Sequence, residues 1–382
     1  MPSSRRKPSS KADGSPSDPA SPPPIKVTVL GIGQMGLVCA GLLSGAGTES
    51  SAAAERARAA AENAGPRPQV TLWGHSEDEA GDLTQTRVSS RLPEFVLPDS
   101  VRVSADLPKS VREADLIVSA IPVQFTREVW KKLRGKLPPP ANCGVVSVAK
   151  GIEIGTLLRP TQVMADAVKD DPDGRPRPFG VLSGPTIAAE LARCLPATMI
   201  AASDTPGFAG QLQRMFSTSY LRIYTHEDLL GVELAGAMKN VIAIAAGVLD
   251  GLQAGYNAKS ALLARGLAEI TRLGVAMGSN PDTFFGLSGV GDLATTCFSP
   301  EGRNRSCGEA LGRGVRLEDY LKSIPNVVEG VATTKSVMDL ARKYKVEMPI
   351  THAVYSALYE GMDPIEGIGR LMSREMKAER VG

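Results

Sequence analysis

The sequence predicts an α/β protein in which an amino-terminal, doubly wound and mainly parallel β-sheet is followed by an all-α carboxyl-terminal domain. Short apolar segments alternate with helical patterns as far as about residue 220, which is typical of β-α-β units. From residue 227 onward the pattern is helical only. The chain has 382 residues, which is more than one ordinary core accommodates, so two domains are expected.

A polar segment precedes the first predicted strand. Residues 1–24 are mostly Ser, Pro, Lys, Arg and Asp, with almost no apolar side chains. Such a segment cannot bury enough apolar surface to offset the entropy lost on ordering. We therefore expect a disordered tail, and the missing apolar segment argues against a secretory signal.

The first strand is followed by a glycine turn. Residues 25–30 (IKVTVL) are apolar, and Gly31, Gly33 and Gly36 follow in the pattern GxGxxG before a helical stretch of small and apolar residues. Glycines at this spacing permit a tight turn and let the backbone approach a pyrophosphate, which the helix N-terminus then stabilises. The order strand, turn, helix predicts a Rossmann-type site for NAD or NADP.

The second strand lacks the acid that an NAD site usually carries. After an insertion at residues 48–68, which we expect to be partly helical, the strand at 69–74 (QVTLWG) ends in Trp73 and Gly74, and His75 follows. An acid at this point normally binds the adenosine ribose. Its absence predicts that NADPH is used at least as well as NADH. His75 is either a contact for a 2′-phosphate or an exposed loop residue.

Five further strands follow the same rhythm, at residues 101–106, 114–122, 142–151, 179–186 and 196–203, and the pattern turns helical after YLRIYT (220–225). In parallel sheets, ligands bind at the carboxyl ends of the strands. Lys150 and residues 183–185 lie at such ends. Lys150 is therefore either a site residue or a solvated lysine.

The helical domain is expected to begin near Leu221, which divides the chain into domains at 25–220 and 221–382. Its predicted helices lie at 227–252, 257–277, 304–313, 317–323, 329–345 and 352–360. Residues 234–249 (LAGAMKNVIAIAAGVL) are apolar on nearly every helical face and include a single charged residue, Lys239. A buried lysine has a lowered pKa and can act as a base near neutral pH. The alternative is a lysine that extends to solvent along the helix surface.

Two segments of this domain carry polar groups suited to a phosphate. GVGDLATTC (289–297) places Asp292, Thr295 and Thr296 at a helix start, and SPEGRNR (299–305) carries Arg303 and Asn304 in a loop. An arginine beside hydroxyls and backbone amides suits a phosphate monoester, whereas the alternative is a surface loop.

Composition excludes several classes of function. A net charge of +2 gives no electrostatic reason to expect nucleic acid or a membrane surface as a partner, and no apolar run reaches the ~18 residues of a membrane span. Five scattered cysteines and three histidines indicate neither a metal cluster nor a disulfide framework. We therefore expect a cytoplasmic protein with reduced thiols and no metal.

Several motifs in order resemble the soluble NAD(P)-dependent glycerol-3-phosphate dehydrogenases, from about residue 26 to about residue 360. They are SVAKGIE, VLSGPTIAAE, ELAGAMKNVIAIAAGVLDGL, NAKSALLARGLAEITRLGVAMG, GLSGVGDLATTC, GRNR and NVVEGVATTK. The resemblance implies that dihydroxyacetone phosphate and sn-glycerol 3-phosphate are interconverted with NAD(P)H and NAD(P)⁺. It also implies a homodimer that supplies glycerol 3-phosphate for phospholipid synthesis.

The resemblance also assigns roles to individual positions. Lys239 is similar to the general acid/base at the substrate C2 oxygen, and Lys150 to a lysine near both substrate and cofactor. Further substrate contacts are implied for Gly184, Thr186, Asn240, Asp292 and Thr296, with Arg303 and Asn304 holding the phosphate. Further cofactor contacts are implied for Gln34, Met35, His75, Ala188, Arg303, Val327 and Glu329, together with the three glycines.

The chain departs from the family pattern at three points, and two alternatives compete with it. The insertion at 48–68 is similar to the longer connection of the family's eukaryotic branch, whereas the second domain resembles the bacterial branch. Gln34 and Met35 stand where Ser-Trp is common, and Gly302 stands where a serine is common. A dehydrogenase of β-hydroxy acids should lack the set formed by Asp292, Thr296 and Arg303. An inactive nucleotide-sensing protein should have lost one of the two lysines. The chain retains all of these residues.

Overall fold

A computed structural model of the chain describes residues 23–45, 67–169, 176–324, 326–376 and 378. Apart from residues 23–24 and 67–68, the expected disordered tail and the insertion at 48–68 lie outside these ranges. The predicted α/β architecture is confirmed: a mainly parallel sheet flanked by helices precedes a helical carboxyl-terminal region.

Eight strands form one sheet in the order β10-β9-β8-β7-β6-β1-β2-β5. Neighbouring strands are parallel except β8 and β9, which are antiparallel. The bounds are β1 Lys26–Leu30, β2 Gln69–Trp73, β5 Arg102–Ser104, β6 Leu116–Ser119, β7 Gly144–Ser147, β8 Phe179–Ser183, β9 Ala197–Ala202 and β10 Leu221–His226. Each of these strands overlaps a predicted strand except β10, which lies where the all-helical domain was expected to begin. A short antiparallel hairpin, β3 Val88–Ser89 and β4 Leu92–Val96, was not predicted.

Helices cover both faces of the sheet, as expected for a doubly wound fold. They are α1 Gln34–Ser44, α2 Glu77–Thr86, α3 Leu107–Val111, α4 Val123–Lys131, α5 Pro160–Val168, α6 Ala188–Ala192 and α7 Phe208–Phe216. Successive residues of a strand point to opposite faces. Val29 of β1 therefore packs in one cluster with Leu37 of α1, whereas Leu30 packs in another with Trp130 of α4.

The carboxyl-terminal region is built around one long helix. Its helices are α8 Leu229–Gly251, α9 Gly255–Ala276, α10 Asp292–Phe298, α11 Arg303–Gly312, α12 Leu317–Ser323, α13 Glu329–Tyr344, α14 Pro349–Tyr359 and α15 Pro364–Met372. A 3₁₀ turn, Pro281–Phe285, and a π turn, Leu287–Gly291, precede α10. Gly247 lets α11 touch the α8 backbone, because a Cβ there would overlap the carbonyl oxygen of Arg305.

By length and composition α8 could cross a membrane, but 83% of its most apolar window is buried inside this fold. Helix α8 is thus the core of the helical region, and its buried surface includes Lys239.

The division between the two regions differs in detail from the expected boundary at residue 221. Strand β10 is the edge strand of the sheet, in register with β9 from Leu221 to His226. The helical region begins with α8, whose first turn is capped by the Asp228 carboxylate. We therefore propose that the domain boundary lies between β10 and α8.

A buried carboxylate ties α8 to the sheet region. Glu233 Oε1 accepts a hydrogen bond from the Thr161 amide at 2.9 Å, Glu233 Oε2 accepts from the Thr161 hydroxyl at 2.8 Å, and Arg159 forms an ion pair with the same carboxylate. Because Glu233 lies on the helix that carries Lys239, this contact fixes α8 against the sheet.

Candidate active site

A cavity of about 1170 Å³ lies between the carboxyl ends of the central strands and α8. Most of the residues expected at a site line it: Gly31, Gly33, Gln34, Met35, His75, Lys150, Thr186, Ala188, Lys239, Asn240, Thr296, Arg303, Asn304, Val327 and Glu329. Three expected residues, Gly36, Gly184 and Asp292, are not among the lining residues of this cavity. Residues more than 250 positions apart in the sequence thus meet around one space.

The glycine turn leaves room for a phosphate at one end of the cavity. Gly31 has a φ of 110°, and a Cβ on Gly36 would overlap the Gly31 carbonyl oxygen. A Cβ on Gly33, by contrast, would meet nothing within 4 Å. Helix α1 begins here without a side-chain cap, so its first amides remain available to an anion. These residues fit the pyrophosphate of a dinucleotide.

Two lysines share one buried carboxylate at the other end of the cavity. Lys239 Nζ lies 2.7 Å from Asp292 Oδ1, and Lys150 forms an ion pair with Asp292 Oδ2. Only 1% of the Asp292 side chain is exposed, against 8% for Lys239 and 16% for Lys150. The lysines come from different regions, Lys150 from the end of β7 and Lys239 from α8, and Asp292 begins α10.

Two more groups orient these lysines. Lys239 donates to the Thr296 hydroxyl, which lies one helical turn after Asp292 and 3.3 Å from Asp292 Oδ1. Lys150 Nζ also donates to the Gly184 carbonyl oxygen at 3.2 Å. Gly184 has a φ of 127°, a conformation that favours glycine. Gly184 and Asp292 therefore contribute to the site indirectly, because they position the two lysines that line the cavity.

Burial lowers the pKa of Lys239 to about 8; the positive charge of Lys150 acts in the same direction, and the Asp292 carboxylate opposes both. The sequence left the direction of this shift open. An amine with this pKa is present in both protonation states near neutral pH, which is the property that a general acid/base requires.

Cationic and amide groups face the cavity beside the lysines. Arg303 is the first residue of α11, is exposed, and lines the cavity. Asn240 is buried, and within the described ranges its Nδ2 has no hydrogen-bond partner. Asn304 Oδ1 accepts from the Gly330 amide at 2.9 Å, which joins the starts of α11 and α13. This end of the cavity offers donors to an oxyanion.

A buried carboxyl group also lines the cavity. Glu329 is the first residue of α13; burial raises its pKa, and the positive charges of Arg303, Lys150 and Lys239 oppose that effect. The net effect keeps the pKa of Glu329 above its ordinary value, so the protonated form is favoured more than in a free glutamate.

Arg305, the last residue of the GRNR segment, makes structural contacts, unlike Arg303, which lines the cavity. Its Nε donates to the Ser299 carbonyl oxygen at 2.8 Å, and its Nη1 lies 2.7 Å from Asp250 Oδ2 on α8. Lys259 also pairs with Asp250, at 2.7 Å. Arg305 therefore holds the loop that presents Arg303, a division of labour that the sequence did not indicate.

Sequence reasoning also missed residues that line the cofactor end of the cavity. Glu79, Arg91, Phe125, Glu128 and Lys132 all line the cavity. Arg91 lies in the turn of the unpredicted β3–β4 hairpin. Strand β3 has only two residues, and β4 (LPEFV) includes Pro93 and Glu94 and shows neither an apolar run nor a strict alternation. The available signal was an arginine shortly after a second strand that lacks its usual acid.

Comparison with known proteins gives matches over both regions. A family model described as the NAD-dependent glycerol-3-phosphate dehydrogenase N-terminus matches residues 26–209, and one described as the C-terminus of the same enzyme matches residues 228–369. A glycerol-3-phosphate dehydrogenase [NAD(P)+] of Thermoanaerobacter sp. is 42% identical over 82% of this chain and 92% of its own length. One from Streptomyces griseus is 40% identical over 94% of this chain and 99% of its own length.

Solved structures give a similar result. The crystal structure of glycerol-3-phosphate dehydrogenase from Coxiella burnetii superposes with a TM-score of 0.81 at 31% identity, over 92% of this chain and 99% of that one.

Proposed function

This chain belongs to the NAD-dependent glycerol-3-phosphate dehydrogenase family, and from that premise we propose that Lys239 is the general acid/base of its reaction. The protein is an oxidoreductase that uses NAD or NADP and interconverts glycerol 3-phosphate and dihydroxyacetone phosphate. The observation that supports the role of Lys239 is its place in the cavity, paired with a buried Asp292 beside Lys150.

The chemistry requires a proton at the substrate C2 oxygen. The bound dinucleotide supplies or accepts the hydride at C2. In the reduction, the Lys239 ammonium donates a proton to the C2 oxygen as negative charge develops there; in the oxidation, the neutral amine accepts it. Lys150 stabilises the same developing charge. Asp292 and Thr296 hold the Lys239 Nζ in place, so little reorganisation is needed when the proton moves.

The substrate phosphate is proposed to lie at the start of α11. Arg303 offers a guanidinium that can bind two phosphate oxygens, and the first amides of α11 point toward the same end of the helix. Asn240 lines the same cavity next to Lys239 in the sequence, and its Nδ2, which has no hydrogen-bond partner among the described residues, adds a donor for the substrate. Binding energy at this non-reacting group places C2 beside the lysines. Thr186 and Asn304 support this arrangement from the cavity wall, and Gly184 supports it through its hydrogen bond with Lys150.

The dinucleotide is proposed to lie from the glycine turn to the helical region. Its pyrophosphate would meet the turn formed by Gly31 to Gly36, and Gln34, Met35, His75 and Ala188 line the cavity on the sheet side. Val327, Glu329 and Arg303 line it on the helical side. Because β2 ends without an acid, we propose that NADPH is used at least as well as NADH.

Further proposals concern the cellular setting. Glycerol 3-phosphate carries two hydroxyls ready for acylation, so we propose that the enzyme supplies phospholipid synthesis. Cys39, Cys194, Cys297 and Cys307 are buried free thiols, which supports a reducing cytoplasmic location. We propose a homodimer, which sedimentation analysis would distinguish from a monomer.

The test of the catalytic proposal is turnover with each nicotinamide cofactor. Purified protein should oxidise NADH and NADPH only when dihydroxyacetone phosphate is present. Lys239→Ala should lower kcat by about 10²–10⁴, while cofactor affinity stays within about twofold because the dinucleotide is held mainly by the glycine turn. Lys322→Ala, at an exposed position on α12, is the matched control. If Lys239→Ala retained kcat, a different group would have to carry the proton.

A further inference from the structure

One end of the cavity carries a pair of opposite charges to which the reaction gives no role. Arg91 and Glu79 both line the cavity. Arg91 Nη2 lies 2.7 Å from Glu79 Oε1, and Arg91 Nε donates to the same oxygen at 2.9 Å. The side chains are 34% and 31% exposed. The pair is therefore in contact with solvent, where the guanidinium can exchange one anionic partner for another.

The pair stands beside the glycine turn. Gln34, the first residue of α1, donates from Nε2 to the Arg91 carbonyl oxygen at 2.9 Å. Glu79 lies in the first turn of α2, directly after β2. Strand β2 lies next to β1 with Trp73 opposite Leu30, so both strands end at the same level. A dinucleotide whose pyrophosphate lies on the glycine turn places its adenosine ribose at the end of β2, in this region.

The charges at this point suit a phosphate on the ribose. The residues that end β2 provide no carboxylate, and the exposed His75 follows them. A guanidinium binds two phosphate oxygens at once, which a carboxylate repels. A carboxylate instead accepts hydrogen bonds from free ribose hydroxyls. The site therefore contains a guanidinium that suits the 2′-phosphate of NADPH and a carboxylate that suits the free ribose hydroxyls of NADH.

We propose that Arg91 is the residue that selects NADPH, by binding the 2′-phosphate of the adenosine ribose, and that Glu79 holds Arg91 when NADH is bound. This inference rests on the proposed function to the extent that the cavity takes a nicotinamide dinucleotide. The 2′-phosphate replaces the Glu79 carboxylate as the partner of the guanidinium, so part of the binding energy is spent on that exchange. Both cofactors are therefore accepted, with NADPH bound more tightly.

The test compares two cavity-lining cations of equal charge. Arg91→Gln should raise the Kd of NADPH at least tenfold and leave the Kd of NADH within about twofold, because only NADPH carries the contacted group. Lys132→Gln removes a cation that lines the same cavity from the end of α4, after β6 on the other side of β1. That variant should change both Kd values by a similar factor. Calorimetry with NADPH, NADH, 2′,5′-ADP and 5′-AMP measures these affinities without any turnover.

Retained NADH binding shows that the Arg91→Gln protein is folded. Equal losses for NADPH and NADH in Arg91→Gln, no loss for either, or the same selective loss in Lys132→Gln would each overturn the assignment. Glu79→Gln should bind NADPH more tightly and NADH no more tightly than the parent protein. An unchanged ratio of the two Kd values would show that Glu79 does not compete with the 2′-phosphate for Arg91. Absence of turnover with dihydroxyacetone phosphate would instead contradict the proposed reaction, because the calorimetry does not depend on the substrate.

Discussion

Asp292→Asn changes the charge that holds both active-site lysines while keeping the side-chain volume. Asp292 Oδ1 lies 2.7 Å from Lys239 Nζ and Oδ2 pairs with Lys150, at a residue that is 1% exposed. Unit charges about 4 Å apart attract by about 4 kcal/mol at an effective dielectric constant of about 20. The amide retains a hydrogen bond, so we take the loss felt by Lys239 as about 3 kcal/mol, at the low end for breaking a buried pair.

This loss converts directly into the pKa of Lys239. A change of one in pKa corresponds to about 1.4 kcal/mol, so the pKa should fall by about 2. It begins at about 8 and should therefore end near 6, because burial and the charge of Lys150 then lower it without the opposing Asp292 carboxylate. At pH 7 the protonated fraction falls from about nine-tenths to about one-tenth, and dihydroxyacetone phosphate reduction should fall about ninefold from this cause alone.

The assay is kcat/KM between pH 5 and pH 10 in both directions, with saturating cofactor. In the parent protein, oxidation of glycerol 3-phosphate should rise with pH and reduction should fall, both with a midpoint of about 8. In Asp292→Asn both midpoints should move to lower pH. Asp250→Asn removes a carboxylate that pairs with Lys259 and Arg305 elsewhere in the helical region, and it should keep the midpoint. A midpoint that stays at its parent value or rises in Asp292→Asn would refute the reasoning.

Four further substitutions test the phosphate contact, the glycine turn and the packing of α8 on the sheet. Arg303→Ala should raise KM for dihydroxyacetone phosphate by about 10- to 100-fold, since a charge-assisted hydrogen bond contributes about 1.5–3 kcal/mol; an unchanged KM would place the phosphate elsewhere. Gly36→Ala should prevent stable folding of the turn, because its Cβ would overlap the Gly31 carbonyl oxygen, whereas Gly33→Ala, with nothing within 4 Å of its Cβ, should fold and lose cofactor affinity. Thermal unfolding and cofactor titration separate the two variants, and equal behaviour would contradict the assignment of Gly33 to the open side of the turn. Glu233→Gln leaves Arg159, whose side chain is only 12% exposed, without its charge partner and should cost about 3 kcal/mol of unfolding free energy; an unchanged denaturant midpoint would show that this ion pair does not hold α8 to the sheet.

Local patterns were sufficient for the strands and the main helices. Buried parallel strands are short apolar runs, and each such run in the amino-terminal half became a strand of the sheet. The apolar surface of α8 also identified the central helix of the second region. The β3–β4 hairpin was missed because β3 comprises only 2 residues and β4, with the sequence LPEFV, is neither an apolar run nor a strict alternation of buried and exposed residues.

The edge strand of the sheet shows a second limit of prediction from the sequence, which concerns the domain boundary. The change of pattern after residue 220 suggested a boundary there, but β10 completes the sheet through its pairing with β9. Strand pairing depends on partners that lie elsewhere in the chain, so a change in local pattern cannot place the division between two packed regions.

The sequence by itself determined the α/β class, the glycine turn, and the presence of one lysine within an apolar helix, because each depends on the order and spacing of neighbouring residues. Only the tertiary structure decided what surrounds that lysine. Lys150 and Asp292 are 142 positions apart, yet their pairing beside Lys239 sets the balance of burial, repulsion and attraction that lowers its pKa. The tertiary structure also brought Arg91 to the glycine turn and assigned Arg305 to the loop rather than to the cavity. Electrostatic energies depend on distance and burial, and those quantities arise only when distant segments pack together.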